Sequence, residues 1–200
     1  MIMICIEMAI LFITSALIMM LHEFPKSLIF AIRSQVGLKE HLSVFRIWRY
    51  IDPIGMVFSV LFYAPISRPY MFRVSKKETN FLLGCTGFLT LFLIYGLSIF
   101  VLRYEYGGLS GIEQMPVDKI TLHLIFAVFW QYVALLSAGM IITNLFPVST
   151  FDLGLLVARI SPHGFFWIIK ADGLVKMILL LAMLLHLVRF PVLCLVRFCL

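Results

Sequence analysis

Asn144-Leu145-Phe146-Pro147-Val148-Ser149-Thr150-Phe151-Asp152 closes an apolar run that begins at Ile120 and contains no Asp, Glu, Lys or Arg. The run is long enough to cross a bilayer, which takes about 20 apolar residues. Asn144 and Pro147 are suited to end its helix: proline cannot continue the hydrogen-bond ladder, and the amide can satisfy carbonyls that the ladder leaves open. An acid, Asp152, then follows just past the membrane-length part. A second polar break, Leu21-His22-Glu23-Phe24-Pro25-Lys26, closes the first apolar run of the chain. The functional reading turns on whether these two breaks meet.

Composition supports the membrane reading. Of the 200 residues, 62% are hydrophobic and 13% charged, whereas a soluble domain is nearer half apolar and a quarter charged. The expected class is an all-α polytopic membrane protein, one compact bundle of four to five hydrophobic segments in a single domain over residues 1–200. The segments read as 1–21, a short 54–66, 81–102, 120–143 and 173–188. The net charge of +6 is assigned to loops facing anionic lipid. Nucleic acid is not an expected partner, because no basic patch with interleaved aromatics stands outside the apolar runs.

The first run, Met1 to Leu21, lacks the basic start and small-residue cleavage site of a signal peptide and reads as a retained span with a possible continuation through Ile32. Its one acid, Glu7, is expected near an interface. Cys5, Cys85, Cys194 and Cys199 form no C-x-x-C pair and read as small apolar residues; acylation of Cys194 and Cys199 is a weaker idea. Arg33 to Arg49 is basic, with Leu38, Leu42, Phe45 and Trp48 at helical spacing, which suggests a segment lying on the membrane surface; a strand there is an alternative. The run Ile54 to Ile66 covers only about 20 Å as a helix, too short for an easy crossing. Basic loops on both sides of it suggest that it dips in and returns. The loop Arg103 to Lys119 is acidic on balance, contains the Gly107-Gly108 turn, and belongs on the opposite side. Phe190 to Leu200 begins with a proline interruption and is expected along the interface.

The positive-inside rule then puts the ends of the first and the Ile120–Thr143 spans on the same, cytoplasmic, side. His22-Glu23 and Asn144…Asp152 come out at similar depth in a cell membrane. Pro25 removes a helix hydrogen bond and opposes the carbonyl of Leu21, so His22 and Glu23 are expected at a kink.

The two breaks carry recognisable chemistry. His-Glu-x-x-His on a helix puts two imidazoles on one face to bind zinc, with the Glu taking a proton from metal-bound water. Here the positions read His22, Glu23 and Lys26. A lysine ammonium has three donors and no acceptor. It could instead pair with Glu23 at i, i+3 or with Asp152, filling the electrostatic role of a metal.

The chain resembles the site-2 protease family of intramembrane zinc metalloproteases. The family pattern is His-Glu-x-x-His in an early span and a late Asn-x-x-Pro-x-x-x-x-Asp-Gly. Asn144, Pro147 and Asp152 match the late pattern, with Leu153 in place of the glycine and Gly154 one position later. Asp52-Pro53-Ile54-Gly55 resembles a segment that follows the first motif in bacterial members. Lys176-Met177 and the apolar run after Ala171-Asp172-Gly173 match the last span more loosely. Of the family's Ala-Gly-Pro-x-x-Asn, Thr86-Gly87-Phe88-Leu89-Thr90-Leu91 keeps only the glycine. The resemblance covers about Leu21 to Leu187. It implies zinc as cofactor, His22 and Asp152 as metal ligands, Glu23 as general base, and Asn144 as a polar stabiliser near the reacting carbonyl. Lys26 stands at the missing second ligand. His41, His123, His163 and His186 are possible substitutes, and His163, which follows Asp152 in a loop on the required side, is the one to test.

Three functional readings follow. The first is a site-2-protease-like protein whose zinc proteolysis is impaired or lost and which holds a membrane client. The second is an active protease with an atypical zinc site, cleaving a membrane-embedded segment. The third is a transporter or structural membrane subunit, against which the scarcity of mid-span ionisable residues weighs.

Overall fold

The computed structural model describes residues 2–33, 43–69, 77–108, 111 and 121–200. Among them the regular elements are helical: α1 (Ile2–Arg33), a 3-10 turn (Ile47–Tyr50), α2 (Pro53–Phe62), α3 (Lys77–Tyr106), α4 (Leu122–Asn144), α5 (Asp152–Ile160), α6 (Pro162–Leu184) and α7 (Arg189–Cys199). Three helices, α1, α3 and α4, are long and apolar enough to cross a membrane, and α6 with α7 makes a fourth if that pair, bent by 64°, is one span. The protein is an all-α polytopic membrane protein.

The starts of α2, α4 and α6 each have a local cause. The Asp52 carboxylate accepts the Ile54 N–H at 3.2 Å, and Pro53 follows at the first helical position of α2. Proline loses nothing there, since that N–H has no helical partner anyway. Thr121 caps α4 through the Leu124 N–H, and Ser161 caps α6 through the Gly164 N–H. At ten residues, α2 reaches about 15 Å, half a bilayer core. It ends at Tyr63, whose φ is 54°. From there an extended segment runs to Pro69.

α4 is the hub. It packs against α1, α3 and α7, while α5 lies on α3. Leu11 and Ile18 of α1, Leu91 of α3 and Leu136 and Met140 of α4 form one buried cluster. Ala127, Ala134 and Ala138 of α4 belong to a second, with Phe62, Leu102, Met183 and Val192. Small residues serve close helix contact in lipid, where packing rather than water exclusion drives association. Gly139 shows the limit: the Tyr63 carbonyl lies where a Cβ would be. α6 differs from the other long helices. Leu174, Met177, Ile178, Leu181 and Leu184 are exposed along it, and only Leu179 and Met183 are buried.

Two span boundaries differ from the sequence reading. The first apolar run does not stop at Leu21: α1 passes through Pro25 and continues to Arg33. Its flanking residues favour helix strongly enough to carry one missing N–H. The polar break therefore lies inside a helix. The last span does not start at Gly173: α6 begins at Pro162, and Asp172 sits within it, bonded to Lys176 one turn on and to the Ser149 N–H at 2.8 Å. A charge that finds a partner at i+4 does not end a helix. Leu38 and Leu42 of the expected surface segment lie outside the described residues. Its later part holds the 3-10 turn, with Phe45 and Trp48 exposed. Gly107 and Gly108 have φ of 67° and 75° and end α3, as a turn there requires.

Candidate functional site: a buried charge network

The two polar breaks meet. His22 and Lys26 are four residues apart on α1 and share a face, and Glu23 is three from Lys26. Asp152, the first residue of α5, comes down onto them from across the bundle. Fractional exposures are 1% for His22, 2% for Glu23, 1% for Lys26 and 0% for Asp152.

The contacts interlock. The Lys26 Nζ lies 2.8 Å from Asp152 Oδ1 and 3.1 Å from Glu23 Oε1. His22 Nε2 lies 2.8 Å from Asp152 Oδ2. The Ser67 hydroxyl donates to Glu23 Oε1 at 2.8 Å, and His22 Nδ1 faces both the Ser67 oxygen at 3.2 Å and Glu23 Oε1 at 3.1 Å. His22 Nε2 therefore faces a carboxylate acceptor, while Nδ1 faces a hydroxyl that can donate or accept beside a second carboxylate. The Lys26 ammonium stands against both carboxylates, with the His22 ring bonded to each of them. Buried charges persist in this way, paired and hydrogen-bonded. Burial by itself pushes the Asp152 carboxyl up, but the Lys26 ammonium and then His22 outweigh it and hold that carboxyl below the usual carboxylate range.

Asn144 sets the position of Asp152. Its amide donates to the Met140 carbonyl at 2.9 Å, one turn back on α4, and its carbonyl oxygen accepts the Asp152 N–H at 3.3 Å. Asn144 thus serves the end of one helix and the start of another, and touches the charge network only through that backbone N–H. α3 makes room on the other side. A methyl group on Gly87 would overlap the Asp152 carboxylate, and one on Gly84 would press on the Asp152 carbonyl.

A metal ion would need lone pairs of His22 and Asp152 turned to one point. Here those atoms bond each other, and the third position carries an ammonium with no lone pair. Among the described residues, no group of three His, Cys, Asp or Glu side chains is placed to hold a metal. The donor set as arranged does not fit zinc. His163 lies on α6, exposed, and accepts from the Trp167 indole at 3.1 Å; it is not brought to His22 and Asp152. His123 stacks near Tyr106 and His186 near Phe62, and His41 lies outside the described residues. Glu23 Oε1 is occupied by three partners, whereas Oε2 has none among the described residues. Glu23 also lines a cavity of about 10 Å³ with Ser67, Thr143, Asn144 and Thr150, the space of roughly one water.

Ser67, Gly84 and Gly87 are site residues that motif reasoning did not single out for these roles. Ser67 sits in a proline-flanked loop with no pattern that marks it. Gly84 and Gly87 are three apart, a spacing that puts both on one helix face, and Gly87 is the glycine that the resemblance retains.

No family model matches this chain, and no curated protein or solved structure matches it either.

Proposed function

We propose that this is a site-2-protease-like membrane protein in which an internal ammonium holds the place of the catalytic metal, and that it acts by holding a membrane-embedded segment of a client protein rather than cutting it. One observation carries the reading: the Lys26 Nζ, at the position of the second metal-binding histidine, lies 2.8 Å from the carboxylate at the position of the distant ligand. The order and spacing of His22-Glu23, Asp52-Pro53-Ile54-Gly55 and Asn144…Pro147…Asp152 support the relationship. An internal cation supplies the positive charge that this acid would otherwise need, without the Lewis acidity that polarises a carbonyl or activates water. The scaffold keeps its shape and loses the reaction.

A groove beside the network suits the client. It has a volume of about 420 Å³ and is lined by apolar Phe58, Phe151 and Met183 and by charged Asp52, Arg68 and Lys176, with Ser67 among the lining residues. An apolar segment that ends in polar or charged residues fits such a lining, and Ser67 is bonded to both His22 and Glu23, so the groove borders the network directly. The basic loops favour the cytoplasmic side of a cell membrane for this end.

Zinc analysis of the detergent-purified protein tests the reading. The expected result is no stoichiometric zinc in the wild type and zinc gained in Lys26→His. About one zinc per wild-type chain, lost in His22→Ala, would overturn it and favour an active protease.

A further inference from the structure

A second pocket lies away from the charge network. It has a volume of about 450 Å³ and is lined by Arg33, Glu78, Phe81, Leu82 and Arg159. Its three charges come from three helices. Arg33 is in the last turn of α1, Arg159 in the last turn of α5, and Glu78 in the first turn of α3. Because α1 and α3 are spans, these turns mark a membrane edge.

Each charge singly suits its helix end, cations at a C-terminus and an anion at an N-terminus. That does not account for their meeting in one pocket without closing on one another. None of the three forms an ion pair or hydrogen bond with a described residue, and all are exposed. Opposite charges that line one open pocket without pairing leave room for a molecule that bridges them. Phe81 and Leu82 follow Glu78 by three and four residues, on the same face and further into the membrane-spanning helix.

The bridging chemistry is specific. Two guanidinium groups suit a phosphate, which they can bind by paired N–H donors. The carboxylate opposes a plain anion but suits an ammonium that can donate hydrogen bonds. The apolar wall suits an acyl chain. We infer that this pocket binds the headgroup of a phosphatidylethanolamine, with the phosphate between Arg33 and Arg159 and the primary ammonium at Glu78. Phosphatidylcholine carries the same phosphate, but its methylated nitrogen has no N–H to donate. Phosphatidylglycerol lacks the cation altogether.

Native mass spectrometry of the full chain, released from bilayers containing equal amounts of the three lipids with identical acyl chains, reads the selectivity. The wild type is expected to retain phosphatidylethanolamine over phosphatidylcholine by about threefold to fivefold, the scale of an exposed charge-assisted contact. Glu78→Gln is expected to lose that preference while still retaining phosphatidylglycerol. Arg33→Gln with Arg159→Gln is expected to retain less of all three. Equal retention of the three lipids by the wild type would overturn the inference without any variant. So would a preference that Glu78→Gln leaves intact, or displacement of the lipid by millimolar inorganic phosphate, which would make the free anion the ligand.

Discussion

Replacing Lys26 by methionine removes one charge and keeps most of the buried stem. In the wild type that charge sits within 3.1 Å of two carboxylates, in a place with 1% exposure. Without it, Glu23 and Asp152 keep His22 as their shared ion-pair partner among the described residues. Removing one partner of a buried ion pair costs about 3–5 kcal/mol, because the group left behind stays desolvated. For a chain of this size each kcal/mol moves the melting temperature by about 2–4 °C. Lys26→Met is therefore expected to melt about 6–20 °C below the wild type, followed by tryptophan fluorescence in detergent. Adding Asp152→Asn removes one of the stranded charges. The double variant is expected to recover part of the loss, giving a coupling energy that two independent sites would not show. A Lys26→Met variant that melts within about 2 °C of the wild type would refute the paired-charge account. A double variant whose losses simply add would refute the direct contact.

Gly87→Ala places a methyl group on the Asp152 carboxylate, and overpacking of this kind costs about 1–3 kcal/mol; a melting temperature unchanged from wild type would show that α5 is free to shift. The pH dependence has a defined sign. The Asp152 carboxyl is held below its ordinary value, so its contribution is fully present above the unfolded carboxylate pKa of about 3.9 and is lost as pH falls through the lower folded value. Melting temperatures between neutral pH and about pH 3 should show an acid limb below about pH 4 that Asp152→Asn flattens; an equal limb in both proteins would remove Asp152 as its source.

Some particulars of the site were legible in the chain before any packing was known. Asn144, Pro147 and Asp152 stood out because polar residues at the close of a membrane-length apolar run need a reason. The pairing of Lys26 with Glu23 followed from helix geometry. Its pairing with Asp152 was one of two alternatives, and both are realised together. The end of the first span was left open between Leu21 and Ile32, because Pro25 and three charged or titratable residues in a row of six look like a helix end; the helix takes the longer course, to Arg33. Asp172 misled in the same way until its bond to Lys176 was seen.

The sequence by itself determined the solvent and the class of fold. Apolar runs of membrane length leave the backbone no donor or acceptor but its own, and helices follow from that. It also supplied every charge that the buried site contains. Only the tertiary structure decided what those charges do. Whether an ammonium, an imidazole and two carboxylates form a metal site, a set of surface groups or a buried ion-pair cluster depends on distances of about 3 Å between α1, α5 and the Ala64–Pro69 segment. Those distances are set by how closely α5 can approach α3, and hence by the missing side chains of Gly84 and Gly87 and by the bond from Asn144 to the Asp152 N–H. Contacts between residues 130 positions apart have no local signature, because no periodicity in the chain records which helices will touch.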